Sequence, residues 1–313
     1  RPKGVAVEHR HLDAYLDAAL GRYPVTAGDA VPFFTSPAAD LSITSALLPL
    51  AAGVAVRPST GASALADLVA DLRAGCWFSL LKLTPSHLDL LLYDLLGHDV
   101  PRPPACLVVG GEALRSAAVR AWWARWPATR VFNEYGPTEA TVGCCVHEVT
   151  ARDLDGVTVP IGRPLGASTL HLADASGRAV ADEGELFIGG PQVARGYLGQ
   201  PALSATRFVP NSFGTQPGGR LYRTGDRVRQ RDDGLLEFLG RTDRQVKVRG
   251  HRVEPSEIEA ALLVIPGVEH AAVLPQEVPG EHGTRLVAYL AGRALPDEDV
   301  VRAHVVDRLP AAL

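Results

Sequence analysis

Methionine is absent from the 313 residues, and cysteine occurs only four times, at Cys76, Cys106, Cys144 and Cys145. None of these is spaced C-x-x-C and two are adjacent, so the pattern speaks against a zinc site and against a disulfide framework, and suits a reducing cytoplasm. No apolar run reaches the roughly 18 residues that span a bilayer, and no charged-then-apolar signal segment opens the chain. An excess of positive charge is missing too. Lysine and arginine number 31 against 35 acidic residues, a net charge of −4, which argues against electrostatic binding of nucleic acid or a membrane surface. What is there, 46% hydrophobic and 21% charged residues, suffices to bury the core of one large domain or two. The chain opens on Arg1-Pro2-Lys3-Gly4 and stops on Pro310-Ala311-Ala312-Leu313, and is expected to be a fragment.

The first two thirds alternate short β-branched runs with stretches of helical period, the pattern of an α/β sheet with helices on its faces. Strands are expected at Val31–Phe34, Val54–Val56, Phe78–Leu81, Leu107–Val109 and Arg130–Phe132, and helices at Ala62–Arg73 and Thr84–Leu96. The second helix has Thr84 as cap, Pro85 at its first position and Gly97 just past its end. Segments that follow such strands lie at the carboxyl edge of a sheet, where open α/β folds bind ligands. From about Val157 the pattern shifts to short strands between Gly, Pro and Asp turns, at Thr169–Leu172, Glu185–Ile188, Leu221–Arg223, Arg227–Gln230 and Leu235–Leu239. An antiparallel β subdomain is expected there, with Asp232-Asp233-Gly234 turning a hairpin. After residue 242 a compact α+β pattern follows: strand Gln245–Arg249, helix Ser256–Leu263, and strands His270–Leu274 and Arg285–Leu290. The expected division is a large domain over 1–242 and a small, C-terminally truncated one over 243–313.

The densest cluster of chemistry is Asn133-Glu134-Tyr135-Gly136-Pro137-Thr138-Glu139, directly after a strand. Gly-Pro is a generic turn signal, so a plain exposed loop is one reading. The other is that the turn presents an aromatic face, a hydroxyl and a carboxylate together: Tyr135 to stack on a purine, Thr138 to bond a phosphate oxygen, Glu139 to hold Mg²⁺. His9 and His11 are read as solvated residues of a surface helix, without a role.

This run resembles the fifth core motif of the adenylate-forming enzymes, and further motifs follow in that family's order. Lys3-Gly4 resembles the end of their phosphate loop. Gly184-Glu185-Leu186 to Ala194-Arg195-Gly196-Tyr197-Leu198 is similar to the sixth motif, Tyr222-Arg223-Thr224-Gly225-Asp226 to the seventh, and Gly240 to Gly250 with Glu254 to Glu259 to the eighth. The resemblance, to adenylation domains of nonribosomal peptide synthetases, spans nearly the whole chain. It implies a large adenylate-forming domain, N-terminally incomplete, and a small α+β domain that lacks the family's catalytic lysine. The isolated fragment is therefore expected to be nearly inactive.

The same resemblance implies ATP and Mg²⁺ as cofactors, an amino-acid substrate, and as partners condensation domains and a carrier domain bearing phosphopantetheine. Thr138, Glu139 and Arg241 are implied in catalysis, with Glu139 on the metal. Lys3, Gly111, Glu112, Tyr135, Gly136 and Asp226 would bind the nucleotide, Asp226 at the ribose diol, and the backbone of Gly110-Gly111-Glu112 would lie against adenine and substrate. Asp243 would be the hinge between adenylation and thiolation states. Asp40 would pair with the substrate ammonium, or alternatively cap the helix that follows. Leu41, Thr44, Lys82, Val108, Gly110, Glu134, Val142 and Gly143 would line the side-chain pocket. That set resembles asparagine-activating domains, with Lys82 facing the carboxamide oxygen and Glu134 its NH₂; a structural Lys82–Glu134 ion pair outside the pocket is the competing reading. Ala39 stands where the family usually has an aromatic residue, and Thr44-Ser45 where it has Trp-Glu. An acyl- or aryl-CoA ligase and a non-catalytic scaffold remain as alternative functions.

Overall fold

The computed structural model describes residues 3–26, 30–59, 63–174, 176–214, 218–242, 246–248, 251–253, 255–277 and 284–308. They fall into two compact units, Arg1–Thr242 and Asp243–Leu313. Asp243, the expected hinge, lies outside the described residues, as do Glu254 and part of the run from Gly240 to Gly250.

The first unit begins with α1 (His9–Arg22), β1 (Val31–Phe33), α2 (Leu41–Ala51), β2 (Val56–Pro58) and α3 (Ala64–Arg73). β3 (Leu81–Leu83), α4 (Pro85–Asp94), β4 (Cys106–Gly110), α5 (Ser116–Arg125), β5 (Arg130–Tyr135), β6 (Cys145–Glu148) and β7 (Arg163–Pro164) follow. Strands β3 to β7 form one sheet in sequence order, with β3, β4 and β5 parallel and β6 and β7 antiparallel. α4 starts as its sequence predicts: the Thr84 hydroxyl accepts from the His87 amide at 3.2 Å, and Pro85 takes the first turn. β3 forms two or three residues later than the pattern suggested, because Phe78 makes only an isolated bridge to Ala30.

Strand alternation divides this sheet into two chemically different faces. Leu81, Leu83, Leu107, Val109 and Val131 join residues of α3, α4 and α5 in one apolar core. Leu80, Cys106, Val108 and Phe132 face the other way, into a core with Tyr15, Ala19 and Tyr23 from the α1 segment and Leu48 from α2. By the same parity Lys82, Gly110 and Glu134 belong to this second face, since Lys82 pairs in register with Val108 and Gly110 with Glu134.

The rest of the unit is antiparallel: β8 (Thr169–Ala173), β9 (Glu183–Gly189), α6 (Pro201–Arg207), β10 (Phe208–Pro210), β11 (Arg220–Gln230) and β12 (Leu236–Arg241). The strand order is β10-β11-β9-β8, with β12 paired to β11 through the expected hairpin at Asp232-Asp233-Gly234. Two strands anticipated at Leu221–Arg223 and Arg227–Gln230 are one continuous β11. From Arg223 to Arg227 the strand advances four residues against two of β9, Phe187 to Glu185, so a bulge replaces the anticipated break.

The second unit comprises β13 (Val246–Val248), β14 (His251–Val253), α7 (Pro255–Leu263), β15 (His270–Glu277), β16 (Thr284–Ala291) and α8 (Glu298–Arg308). β13 pairs with β14 and β15 with β16, both antiparallel, and Val253, Ile258, Leu262, Ile265, Val268 and Val273 form its core. Among the described residues no helix is long and apolar enough to cross a membrane.

Candidate active site

Two clusters of buried polar side chains meet at the carboxyl end of β5, one joining it to β3 and the other to β11 and β12. In the first, Lys82 on β3 and Glu134 on β5 form an ion pair through Glu134 Oε2, with the two residues 1% and 4% exposed. Glu134 Oε1 accepts hydrogen bonds from the phenols of Tyr23 at 2.5 Å and Tyr15 at 3.2 Å. Tyr15 also shares a 2.6 Å hydrogen bond with the Thr44 hydroxyl of α2. The glycines beside the pair leave room for it. A side chain at Gly143 would put its Cβ 2.4 Å from Glu134 Cδ, and one at Gly110 would meet the Glu134 carbonyl at 2.6 Å. Asp40 is half-buried at the start of α2 and makes no capping hydrogen bond to that helix. Leu41 is half-buried, while Val108 and Val142 are buried.

Sequence reading missed Tyr15 and Tyr23, although a signal existed. His11, Tyr15 and Ala19 recur every fourth residue and form the buried stripe of α1, with Tyr23 just beyond it. His11 is also a correction. Only His9 is exposed; His11 is 2% exposed, and its Nδ1 accepts from the Glu8 amide at 3.1 Å, closing the helix start. Burial, with Arg10 adding to it, holds its imidazole below the ordinary range.

The second cluster gathers residues that lie far apart in the chain. Tyr135 is 8% exposed rather than displayed on a turn, and its phenol donates to Asp226 Oδ2. Asp226 Oδ1 accepts from Arg241 Nη1 at 2.5 Å. Glu139 is 1% exposed and accepts from the Tyr197 phenol at 2.5 Å, while its carbonyl accepts from the Ala194 amide at 2.9 Å. Thr138 and Gly136 are half-buried alongside. Gly4 and Ala6 hydrogen-bond the backbone of Gly196 and Leu198, which ties Lys3-Gly4 to this region. The Glu112 carboxylate caps α4, accepting from the Ser86 amide at 3.2 Å and hydroxyl at 2.7 Å, and Gly111 is half-buried with φ +93°.

Two further residues set the site's backbone, and neither was singled out from sequence. Glu185 on β9 fills the β11 bulge: it accepts from the Gly225 amide at 3.0 Å and twice from Arg223 Nε, and pairs with Arg223 Nη2 at 2.8 Å. The carboxylate thus substitutes for ladder bonds that the bulge breaks, and the bulge turns Asp226 towards Tyr135 and Arg241. Gln192 is 1% exposed and donates to the Gly143 carbonyl at 2.7 Å, while its own carbonyl accepts from Thr141 Oγ1 at 2.7 Å. It braces a strained turn, because β-branched Thr141 and Val142 both have positive φ, 55° and 72°.

The buried phenols make stability sensitive to alkali. Burial first, then the adjacent Glu134 charge, raises Tyr15 and Tyr23 well above the usual phenol range; for Tyr135 the causes are burial and Asp226. Their folded pKa values exceed the unfolded value of about 10, so their contribution is complete below pH ~10 and is lost as pH rises past it. At about pH 11 each phenol should cost about 1.4 kcal/mol of stability. Thermal melts between about pH 9 and 11 should fall steeply, with tyrosinate absorbance appearing together with unfolding. Gradual ionisation of these phenols in the folded protein would refute that coupling.

An open sheet with small, close-approach residues and buried charges at the carboxyl ends of its parallel strands defines an α/β ligand-binding protein. A sequence model described as AMP-binding enzyme matches residues 1–198, and the chain belongs to that family. It is 39% identical over 283 residues to bacitracin synthase 3 of Bacillus licheniformis, covering 87% of this chain and 4% of that protein. It is 40% identical over 320 residues to phosphinothricin tripeptide synthetase PhsC of Streptomyces viridochromogenes, covering 99% and 28%. Among solved structures, the Vibrio cholerae adenylation domain AlmE in complex with glycyl-adenosine-5'-phosphate superposes with a TM-score of 0.87 at 26% identity, over 100% of this chain and 59% of that one. PA1221, a nonribosomal peptide synthetase protein containing adenylation and carrier domains, gives 0.83 at 27%, over 100% and 62%. The fold is that of adenylation domains, and the chain spans only 4% and 28% of the lengths of the two curated synthetases.

Proposed function

We propose that this chain is the amino-acid-activating part of a nonribosomal peptide synthetase and that its substrate is asparagine. A carboxylate oxygen of the amino acid bonds to the α-phosphorus of ATP, the bond to the β-phosphate oxygen breaks, and aminoacyl-AMP and pyrophosphate result. The acyl group then passes to the phosphopantetheine thiol of a carrier domain. The observation that carries the reading is the buried Lys82–Glu134 pair at the sheet's carboxyl edge. A buried charge is costly alone, and the pair offsets that cost while keeping an ammonium donor and a carboxylate acceptor in a buried wall. A carboxamide offers the complementary acceptor and donor. Aspartate would set a second carboxylate against Glu134, and leucine would leave both charges unmatched.

Asp40 supplies the counter-charge for the substrate ammonium, which fatty and aryl acids lack; this favours the amino acid over an acyl-CoA ligase substrate. Asp226, already a double acceptor, suits a ribose diol, with Arg241 beside it. Among the described residues no group of three or more His, Cys, Asp or Glu is gathered to hold a metal by itself. Glu139 fits Mg²⁺ arriving with the nucleotide, since this cation takes one or two carboxylates plus phosphate oxygens. Bound there, Mg²⁺ would neutralise phosphate charge; Tyr197 orients the carboxylate.

Amino-acid-dependent exchange of pyrophosphate into ATP by the full-length protein, run across all amino acids, tests the reading. Asparagine should rank first, with aspartate weaker by about 10²-fold or more, as expected of a site built to hydrogen-bond its substrate. A preference for an apolar amino acid would remove the asparagine assignment and leave amino-acid activation standing.

A further inference from the structure

The pocket's two charges do not stand alone. A carboxylate has about four lone-pair positions, and in Glu134 three are taken, one by Lys82 and two by the phenols of Tyr15 and Tyr23. Both tyrosines come from the α1 segment, which contributes none of the pocket positions assigned from sequence. Their rings are fixed independently of the hydroxyls. Tyr15 is 0% exposed in the core shared with α2, and Tyr23 packs edge-on against Phe132 with ring centroids 5.3 Å apart. Phenols held in this way are rigid donors with little rotamer freedom left to lose.

We infer that Tyr15 and Tyr23 are specificity-positioning residues, which lock the Glu134 carboxylate so that the pocket offers a side-chain carboxamide one acceptor position on Glu134 and the unused donors of Lys82. Nζ of Lys82 has three donors, and Glu134 is its only hydrogen-bond acceptor among the described residues. The two phenols saturate Oε1, so the carboxylate cannot rotate to chelate Lys82 with both oxygens and close the pocket on itself. Tyr15 extends the lock to α2 through Thr44, and Asp40 begins that same helix end. Asp40 also contributes to the electrostatic environment of Tyr15. Recognition of the substrate's side chain and of its ammonium are thereby joined to one rigid support.

The inference rests on the asparagine reading, and the experiment separates the two. In the full-length protein, Tyr23→Phe keeps the ring and removes one hydrogen bond to a charged group. The ratio of kcat/KM for asparagine over aspartate should fall about tenfold. The loss should lie mainly in KM for asparagine, with KM for ATP unchanged. Tyr23→Phe combined with Glu134→Gln should discriminate no worse than Glu134→Gln alone, because the phenol acts through that carboxylate. An unchanged ratio, losses that add in the double variant, or an equal loss with every amino acid would each overturn the inference. If Tyr23→Phe does not fold, the same cycle with Tyr15→Phe decides it. If the unaltered protein prefers another amino acid, the asparagine reading falls, and the cycle is read on the ratio of that amino acid to its runner-up.

Discussion

Lys82→Met is expected to destabilise the first unit and to remove asparagine-dependent exchange. Lys82 is 1% exposed and neutralises a carboxylate that is 4% exposed. Removing one partner of a buried pair costs about 3–5 kcal/mol, because the other charge is left in a low-dielectric interior. The two phenols still solvate Glu134 in part, which places the expected loss near the lower end, about 3 kcal/mol. For a unit of this size that corresponds to a melting temperature lower by about 6–12 °C. Lys82→Met with Glu134→Leu should regain part of the stability, since an apolar pair of similar volume has no unmatched charge, less the cost of the Tyr23 phenol left without its acceptor, but none of the asparagine selectivity. A single Lys82→Met that melts like the parent would mean that the pair contributes nothing to the core.

Asp226→Asn should raise KM for ATP by about a hundredfold, with KM for the amino acid little changed. The carboxylate stands where the β11 bulge, the Tyr135 phenol and the Arg241 guanidinium meet. An amide keeps the shape and one acceptor oxygen but loses the charge. Each hydrogen bond to a charged group is worth about 1.5–3 kcal/mol, so two weakened bonds to a diol give roughly that factor. The measurement is exchange kinetics at varied ATP, with circular dichroism to verify the fold. An unaltered KM for ATP would take Asp226 out of the nucleotide site and leave it a structural partner of Arg241.

Much of the architecture was legible because period and punctuation act locally. Thr84-Pro85 starts α4 by capping chemistry that needs no distant residue, and the hairpin at Asp232-Asp233-Gly234 turns through a glycine at φ +78°. The break expected inside Tyr222-Arg223-Thr224-Gly225-Asp226 was misread for the opposite reason. Thr-Gly-Asp has turn propensity, but Glu185, about forty residues earlier, supplies the hydrogen bonds that keep β11 continuous. Likewise His11 looked like a surface histidine, since nothing in its local sequence shows that α1 is covered on that side.

While Lys82 and Glu134, expected just past their strands, lie within β3 and β5, the sequence by itself determined the alternation of strands and helices and the kinds of charge available to a ligand. Those follow from backbone sterics and residue chemistry, which act over a few positions. Only the tertiary structure decided which charges meet. It brought Tyr15 and Tyr23 onto Glu134 across more than a hundred residues, Tyr135 onto Asp226, and Gln192 under the strained Thr141–Val142 turn. Buried polar groups must find partners, and which partner is within reach depends on how helices pack over a sheet face, a property no local window of sequence contains.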